Sequence, residues 1–122
     1  MSINELVTES IGPVKNLLDL AALRHRALSQ NLANVNTANY IRQDVNFERV
    51  LREAIRSDDL KSPMEFEFVP DKTRPFKSDG NNVNLEYEVA QLNKNQMLHE
   101  MAAQFLRGRL DHYKTAIAGR AS

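Results

Sequence analysis

Apolar side chains recur at helical spacing near the start of the chain. Four of them between Ile3 and Ile11 share one helical face and predict a short helix over residues 3–11, which Gly12-Pro13 would end. A longer helix is predicted over about residues 14–36. Its seam has alternating spacings of four and three and passes through Val14, Leu18, Ala21, His25, Leu28, Leu32 and Val35. The Asn-rich stretch that follows predicts a helix stop and a turn.

The strongest helical pattern lies at the other end of the chain, over about residues 84–118. Asn84 is a suitable cap, and Glu86 and Glu88 fall in the first turn, where the helix dipole favours acids. One apolar seam passes through Leu85, Val89, Leu92, Gln96, His99, Ala103, Leu106, Leu110, Tyr113 and Ile117, and a second stripe through Ala90, Met97, Met101 and Phe105. A helix with two apolar faces needs more than one neighbour.

The middle of the chain has weaker patterns. Apolar residues from Phe47 to Ile55 predict a short helix, capped by Asp44 or Asn46. Residues 57–80 lose the helical period and are predicted to form a loop or hairpin appendage. Within them Met64, Phe66 and Phe68 alternate with glutamates, which predicts a brief strand.

The expected fold class is therefore mainly α. Long N- and C-terminal helices pair as an elongated, coiled-coil-like bundle, with a short irregular or β-hairpin middle segment, in one discontinuous domain over residues 1–122. The last helix would be about 50 Å long, whereas a compact domain of this size is about 35 Å across. Short partners within the chain cannot cover such a helix, so other subunits are expected to complete its seams.

Composition removes several classes of function. The 122 residues hold 16 basic and 16 acidic side chains, so net charge gives no reason to bind nucleic acid. No cysteine is present for a thiolate or a zinc site. No apolar run is long enough for a bilayer span, and the N-terminus lacks the pattern of a secretory signal.

Few residues carry candidate chemistry. His25 and His99 fall on the two seams and would meet if the helices paired antiparallel, which leaves a metal site or pH switch as a minor alternative to a polar seam pair. Lys72, Arg74 and Lys77 surround Phe76, but neighbouring acids favour an ordinary solvated loop. We predict no catalytic residue, no metal and no cofactor.

Two segments resemble a known family. Residues 29–40, SQNLANVNTANY, resemble the N-terminal signature of bacterial flagellar rod and hook proteins, with Ala38-Asn39 in place of the family's Pro-Gly. Asn39 can supply the left-handed backbone that Gly would. Residues 80–86, GNNVNLE, resemble the entry to that family's C-terminal helix. The small size of the chain resembles the B-type proximal rod proteins, a subgroup with little more than the two terminal helices.

The resemblance implies a structural subunit of the proximal rod of the flagellar basal body, whose terminal helices pack into a helical tube that transmits torque. It implies as partners other copies of the chain, neighbouring rod proteins, the junction of MS ring and rod, and the export apparatus. No nucleic acid, small-molecule substrate or membrane insertion is expected. It also implies export through the flagellar type III system without a cleaved signal, and residence in the periplasmic rod.

The residues expected to act are of two kinds. Subunit contacts are predicted at Leu18, Leu28, Leu32, Val35, Val89, Leu92, Met97, Met101, Phe105, Leu106 and Leu110. The motif turn is predicted to use Asn31, Asn34, Asn36, Thr37 and Tyr40. The alternative is a small helical adaptor or chaperone that forms a discrete oligomer through the same seams. A closed oligomer of fixed size would favour that alternative.

Overall fold

Two long helices dominate the structure and enclose a short middle segment. The computed structural model describes residues 2–121, with the side chains of residues 2 and 4–119. The elements are α1 (Ile3–Ala33), β1 (Gln43–Val45), α2 (Phe47–Arg56), β2 (Phe68–Pro70) and α3 (Leu85–Ala121). The predicted mainly helical fold, with long terminal helices and a short antiparallel strand pair between them, is confirmed.

The first helix is longer than the apolar pattern suggested. Ser2 and Glu5 form a capping box, with each side chain bonded to the other's backbone N–H. From there α1 runs without interruption to Ala33, so the predicted end at Gly12-Pro13 is wrong. Pro13 removes one backbone hydrogen bond, and the chain around Lys61 packs directly on the neighbouring Gly12.

The two long helices lie antiparallel. Hydrogen bonds between them join Asn31 to Glu88, Arg24 to Gln91, Ala21 to Asn95 and Leu6 to Tyr113. Contact therefore extends from the C-terminal end of α1 to its second turn. Since α3 has 37 residues, it is about 55 Å long, and its last turns extend past the beginning of α1.

The middle segment is held to α1 by side-chain amides. Asn16 donates to the carbonyls of Leu60 and Ser62, each at 2.9 Å, and its carbonyl oxygen accepts the N–H of Met64 at 3.0 Å. The peptide groups of residues 60–64 thus find partners on a helix rather than on a strand.

The strand predicted around Phe66 is therefore only partly right. Its alternation is real, since Glu65 and Glu67 are exposed while Phe66 is half-buried. Ladder pairing nevertheless starts only at Phe68, where β2 runs antiparallel to β1. Just before it, the N–H of Glu67 bonds to the side chain of Asn46 at 2.8 Å instead.

Asn46 is the N-cap residue of α2, as predicted, but its side chain makes no capping hydrogen bond. That amide is turned toward Glu67, so the predicted capping role is wrong for the side chain.

The hydrophobic core lies where α1 meets the strands. Leu20, Ala27 and Val45 are its buried centre. Partly buried side chains pack around them, namely Leu17, Leu23, Phe66 and Phe68. The core of the chain is small, and it lies beside the middle of α1 rather than along the whole helix pair.

Candidate assembly site

The two segments that carry the family resemblance meet in space. The N–H of Asn39 donates to the carbonyl of Asp79 at 2.9 Å, and the N–H of Asn82 to the carbonyl of Tyr40 at 3.3 Å. Asn39 has φ 62°, so it takes the left-handed conformation predicted for it, and Gly80 faces it with φ 82°. A Cβ on Gly80 would collide with the Asn39 side chain. The turn thus depends on a close approach between the two motifs.

Arg42 stands at the centre of this junction and is completely buried. Its guanidinium binds the equally buried Glu88 in a two-pronged contact, Nε to Oε1 at 2.7 Å and Nη2 to Oε2 at 3.3 Å. Nη1 binds Asp71 and lies 3.4 Å from Asp44. Arg42 therefore ties the beginning of α3 to Asp44 in β1 and to Asp71, the residue after β2.

Three buried asparagines complete the junction by imitating peptide groups. Asn31 donates to the carbonyl of Gln43 and accepts its N–H, each at 2.8 Å. Asn82 accepts the N–H of Arg42 and donates to the carbonyl of Asp71, each at 2.7 Å.

The third, Asn81, donates to the carbonyls of Asn34 and Thr37, each at 2.8 Å. We call the following set the buried corner, in which Asp71 is half-buried and the other five residues are buried: Asn31, Arg42, Asp71, Asn81, Asn82 and Glu88.

The electrostatics of the buried corner follow from these contacts. Burial alone would lower the pKa of Arg42, but the Glu88 carboxylate outweighs it and raises that pKa. Burial alone would also raise the pKa of Asp71, yet hydrogen bonds from Thr73 and Arg42 hold it below the usual value. Burial, together with Glu88, raises the pKa of Tyr40. All three shifts favour the charge states that keep the junction closed at neutral pH.

The motif residues divide into buried and exposed positions. Asn31 is buried, and the Tyr40 hydroxyl donates to its side-chain Oδ1 at 3.2 Å. Asn34 closes the end of α1, donating from its side chain to the carbonyl of Gln30 at 2.8 Å. Thr37 and Asn36 lie exposed at the tip of the turn.

The face of α3 that contacts α1 contains Glu88, Asn95 and Ala102, all buried. Two sets of large apolar side chains lie to either side of this face and are exposed. We call Leu85, Val89, Leu110 and Ile117 the leucine row, and Met97, Met101 and Phe105 the methionine row; all seven are 41–67% exposed. The predicted seam of α3 coincides only in part with its contact with α1, since Leu92, Leu106 and Tyr113 are half-buried and Tyr113 bonds to Leu6. The exposed rows agree with the expectation of apolar faces without a partner in the chain.

The predicted subunit contacts occupy several environments. Val89, Met97, Met101, Phe105 and Leu110 are exposed. Half-buried side chains are Leu18, Leu32, Val35, Leu92 and Leu106. Leu28 is completely buried in the chain's own interior. The exposed members, all on α3, are the ones that a neighbouring subunit can reach without any rearrangement.

The histidine hypothesis is wrong. The helices are antiparallel, but Arg24 meets Gln91 and Ala21 meets Asn95, so His99 lies beyond Ala21 along the pair and away from His25. Both imidazoles are exposed. Within residues 2–121, no group of three His, Cys, Asp or Glu side chains could hold a metal ion. In the same range, no helix is long and apolar enough to cross a membrane.

Sequence reasoning missed the members of the buried corner outside the N-terminal motif, above all Arg42. Arg42 and Asp71 lie in stretches without periodicity, and Glu88 was interpreted only as a charge near the helix dipole. One available signal was the Asn81-Asn82 pair next to Gly80, because amides placed beside a left-handed turn often bond to the backbone.

The chain is similar to curated proteins named flagellar basal body rod protein FlgB. The Bacillus subtilis protein is 24% identical over 93% of this chain and 97% of its own length. The Aquifex aeolicus protein is 31% identical over 88% of this chain and 91% of its own length. The chain belongs to the FlgB family of flagellar basal body rod proteins.

Another FlgB relative, from Borrelia hermsii, is 28% identical over 87% of this chain and 91% of its own length. No protein-family model matches the chain. These FlgB proteins are covered over 91–97% of their own length.

Proposed function

We propose that this FlgB-family chain is a structural subunit of the proximal part of the rod, built into a helical tube through its exposed terminal-helix faces. The observation that carries the proposal is the pair of apolar rows on α3, which are exposed in the single chain. Large apolar side chains lined up along a helix mark a contact surface. Rows on two faces of one helix fit a subunit with several neighbours.

The buried corner supports the same function in a different way. It fixes the beginning of α3 against the end of α1 through charge-assisted hydrogen bonds among buried groups. Its two-pronged Arg42–Glu88 contact fixes the first turn of α3 to the segment between α1 and β1, and Asn31 of α1 bonds to the same Glu88. A subunit of a shaft that transmits torque needs such a junction, since each copy must present its rows at the same angle.

The partners follow from this role. We propose contacts with other copies of the chain, with neighbouring rod proteins and with the junction of rod and MS ring. We also propose that the chain reaches the periplasmic rod through the flagellar type III export apparatus without a cleaved signal. Catalysis is no part of this proposal, and FlgB relatives carry the name of a rod component.

Leu110→Asp, introduced into the gene in its native host, tests the proposal. Leu110 is 50% exposed, so the charge should leave the fold of the chain intact and disrupt a repeated apolar contact. We expect loss of swimming in soft agar and of assembled rods in isolated basal bodies, with unchanged circular dichroism of the purified chain. Gln104→Asp, at an exposed polar position of α3, is the matched control. Normal rods with Leu110→Asp would contradict the proposed use of this row.

The discrete adaptor or chaperone makes a different prediction. Sedimentation velocity of the purified chain would then give one closed dimer or tetramer of fixed size at all concentrations. A rod subunit instead gives a dilute monomer and heterogeneous larger species as the concentration rises. The names of the relatives are those of rod proteins and support the rod subunit over the adaptor.

A further inference from the structure

Two exposed side chains on α3 contain sulfur. Met97 and Met101 are 62% and 67% exposed. They are one helical turn apart, so both thioethers lie on the same side of the helix. This is not the side of α3 that contacts α1, which carries the buried Asn95 and Ala102. Small molecules in solution can therefore reach both thioethers in the unassembled chain.

The other methionine of the described residues has a different environment. Met64 is half-buried and lines an apolar groove together with Leu17 and Phe66. Its backbone N–H bonds to the side chain of Asn16, which holds the segment against α1. Other side chains therefore cover part of Met64. It is an internal reference that has the same chemistry as the α3 pair and less access to solvent.

No thiol competes with these thioethers, because the chain has no cysteine. Methionine is then the side chain that a peroxide oxidises most readily. A thiol must first lose its proton to react, whereas a thioether has no such proton. Its reactivity therefore depends on access rather than on a pKa. In this chain access favours Met97 and Met101 over Met64.

We propose that Met97 and Met101 form a modification site at which a peroxide converts each thioether to a sulfoxide and thereby blocks assembly of the chain. The sulfur lone pair attacks one oxygen of the peroxide, and the O–O bond breaks. With hydrogen peroxide, the second oxygen leaves as water after a proton transfer. Sulfur loses two electrons and the peroxide gains them, so the reaction needs no further oxidant.

The effect on assembly rests on the proposed function, whereas the oxidation itself does not. A sulfoxide is polar, and burying it in an apolar contact removes the water molecules that bond to its oxygen. Because both residues belong to the methionine row, both sulfoxides alter the same surface. We expect each to weaken self-association by about tenfold. The fold of the single chain should not change, since neither side chain is part of its core.

The modification is reversible in the unassembled chain. Methionine sulfoxide reductases restore the thioether while two thiols of the reductant form a disulfide and the oxygen leaves as water. A reductase can reach exposed residues of a helix without unfolding the protein. Once a neighbouring subunit covers the methionine row, neither the peroxide nor the reductase can reach it. The site therefore responds to peroxide only before assembly.

Graded oxidation of the purified full chain tests the site. The chain is treated with increasing hydrogen peroxide and digested with trypsin, and fragmentation spectra of peptide 95–107 distinguish Met97 from Met101. We expect each of the two to gain one oxygen several-fold faster than Met64, with unchanged circular dichroism. Oxidation of Met64 first, or at the same rate, would overturn the site.

Sedimentation velocity of the same samples tests the effect on assembly. Self-association should weaken as the two sulfoxides form, and reductases for both sulfoxide epimers should restore it. Met64→Leu is the matched control, because this swap conserves volume and removes only the half-buried thioether. It should remain as sensitive to peroxide as the wild type. An oxidised chain that associates like the untreated chain would overturn the proposal, as would a loss of sensitivity in Met64→Leu.

A variant separates the modification from the function of the chain. Met97→Gln together with Met101→Gln places polar groups at both positions without any oxidant. Produced as the sole copy in the native host, it should fail to build rods, whereas Asn93→Gln, at an exposed polar position of α3, should build them.

Normal rods with the double variant would overturn the block of assembly and leave the rod function standing. One closed oligomer of fixed size from the untreated chain would contradict the rod function instead. In that case the oxidation rates of Met97 and Met64 still decide whether the modification site exists.

Discussion

The two ends of the helix pair are built on opposite principles. At the buried corner the enclosed side chains are polar or charged, including Arg42, Asn81 and Glu88. At the other end, formed by residues 4–15 of α1 and 103–119 of α3, no described side chain is buried, although several are large and apolar. We call this second region the open end. Polar groups lie inside at one end and apolar groups lie outside at the other.

This difference separates two tasks. A buried network of charges and amides tolerates few alternative geometries, because each unpaired group in it is costly. It therefore defines a single arrangement of α1, the strands and α3. Apolar side chains left in water contribute little to the single chain and much to a contact with a neighbour. The corner determines the shape of the subunit, and the open end together with the apolar rows is available for assembly.

The largest effect should come from breaking the corner. Arg42→Ala leaves Glu88 buried without its cation, so we expect the free energy of unfolding to fall by about 3–5 kcal/mol. Urea titration followed by circular dichroism measures this. Arg49→Ala is the control, since Arg49 is 57% exposed in its contact with Glu53, and it should cost less than about 1 kcal/mol. Equal losses in the two variants would contradict the distinction between buried and exposed pairs.

A smaller effect is expected at the contact between α1 and the middle segment. Gly12→Ala would improve helix propensity, but its Cβ would lie 2.8 Å from the Cα of Lys61. We expect a net loss of about 1–2 kcal/mol in the free energy of unfolding. Gly108→Ala is a matched control, because it lies in α3 with no atom within 4 Å of the added Cβ. That variant should gain up to about 1 kcal/mol in the free energy of unfolding. In thermal melts we therefore expect the melting temperature to fall for Gly12→Ala and to rise for Gly108→Ala.

Acid should weaken the corner through Asp71. Its pKa in the folded chain lies below the value of about 3.9 in the unfolded chain. Its contribution is therefore present above about pH 4 and is lost as the pH falls through the folded pKa. Asp71→Asn should lower stability at pH 7 and flatten the acid branch of the stability curve. Urea titrations at several pH values measure both effects, and Asp111→Asn in the exposed part of α3 is the control. If stability fell with acid equally steeply in wild type and Asp71→Asn, the acid sensitivity would not come from Asp71.

The smallest effect on the single chain is expected at an exposed row. Met101 is 67% exposed whereas its neighbour Ala102 is 4% exposed. Met101→Asp should change the free energy of unfolding by less than about 0.5 kcal/mol and still abolish assembly. Ala102→Asp, one position along the same helix, should instead destabilise the chain itself. If Met101→Asp lowered the melting temperature as much as Ala102→Asp, the methionine row would already be packed in the free subunit.

The sequence predicted the helices well because their signals are local. Spacing of apolar residues, Asn84 as a cap and the left-handed Asn39 depend on neighbours within a turn or two, and each is found as expected. The predicted break at Pro13 is wrong, and the packing of a distant segment, around Lys61, on the neighbouring Gly12 is not visible in the local sequence. The strand predicted near Phe66 is shorter than expected because the N–H groups of Met64 and Glu67 bond to the side chains of Asn16 and Asn46 and not to a neighbouring strand.

The candidate site also has a part that local sequence signals predict and a part that they do not. The apolar seam and the second apolar stripe of α3 predicted that this helix has more than one neighbour. The buried corner could not be predicted from the sequence, because Arg42 and Glu88 are 46 positions apart in the chain. Nothing in the local sequence marks either residue as buried.

The sequence alone determined two long terminal helices, an Asn-rich turn and more apolar helix surface than one small chain can cover. Only the tertiary structure decided which face of α3 turns inward. Apolar periodicity centres the expected inner face on the seam through Leu85, Val89 and Leu110, whereas the structure turns α3 so that Glu88 and Asn95 are buried against α1. Seam residues such as Leu106 are only half-buried beside them. The reason is that buried charges and amides at the corner fix the rotation of α3, and the most apolar faces are then left on the outside.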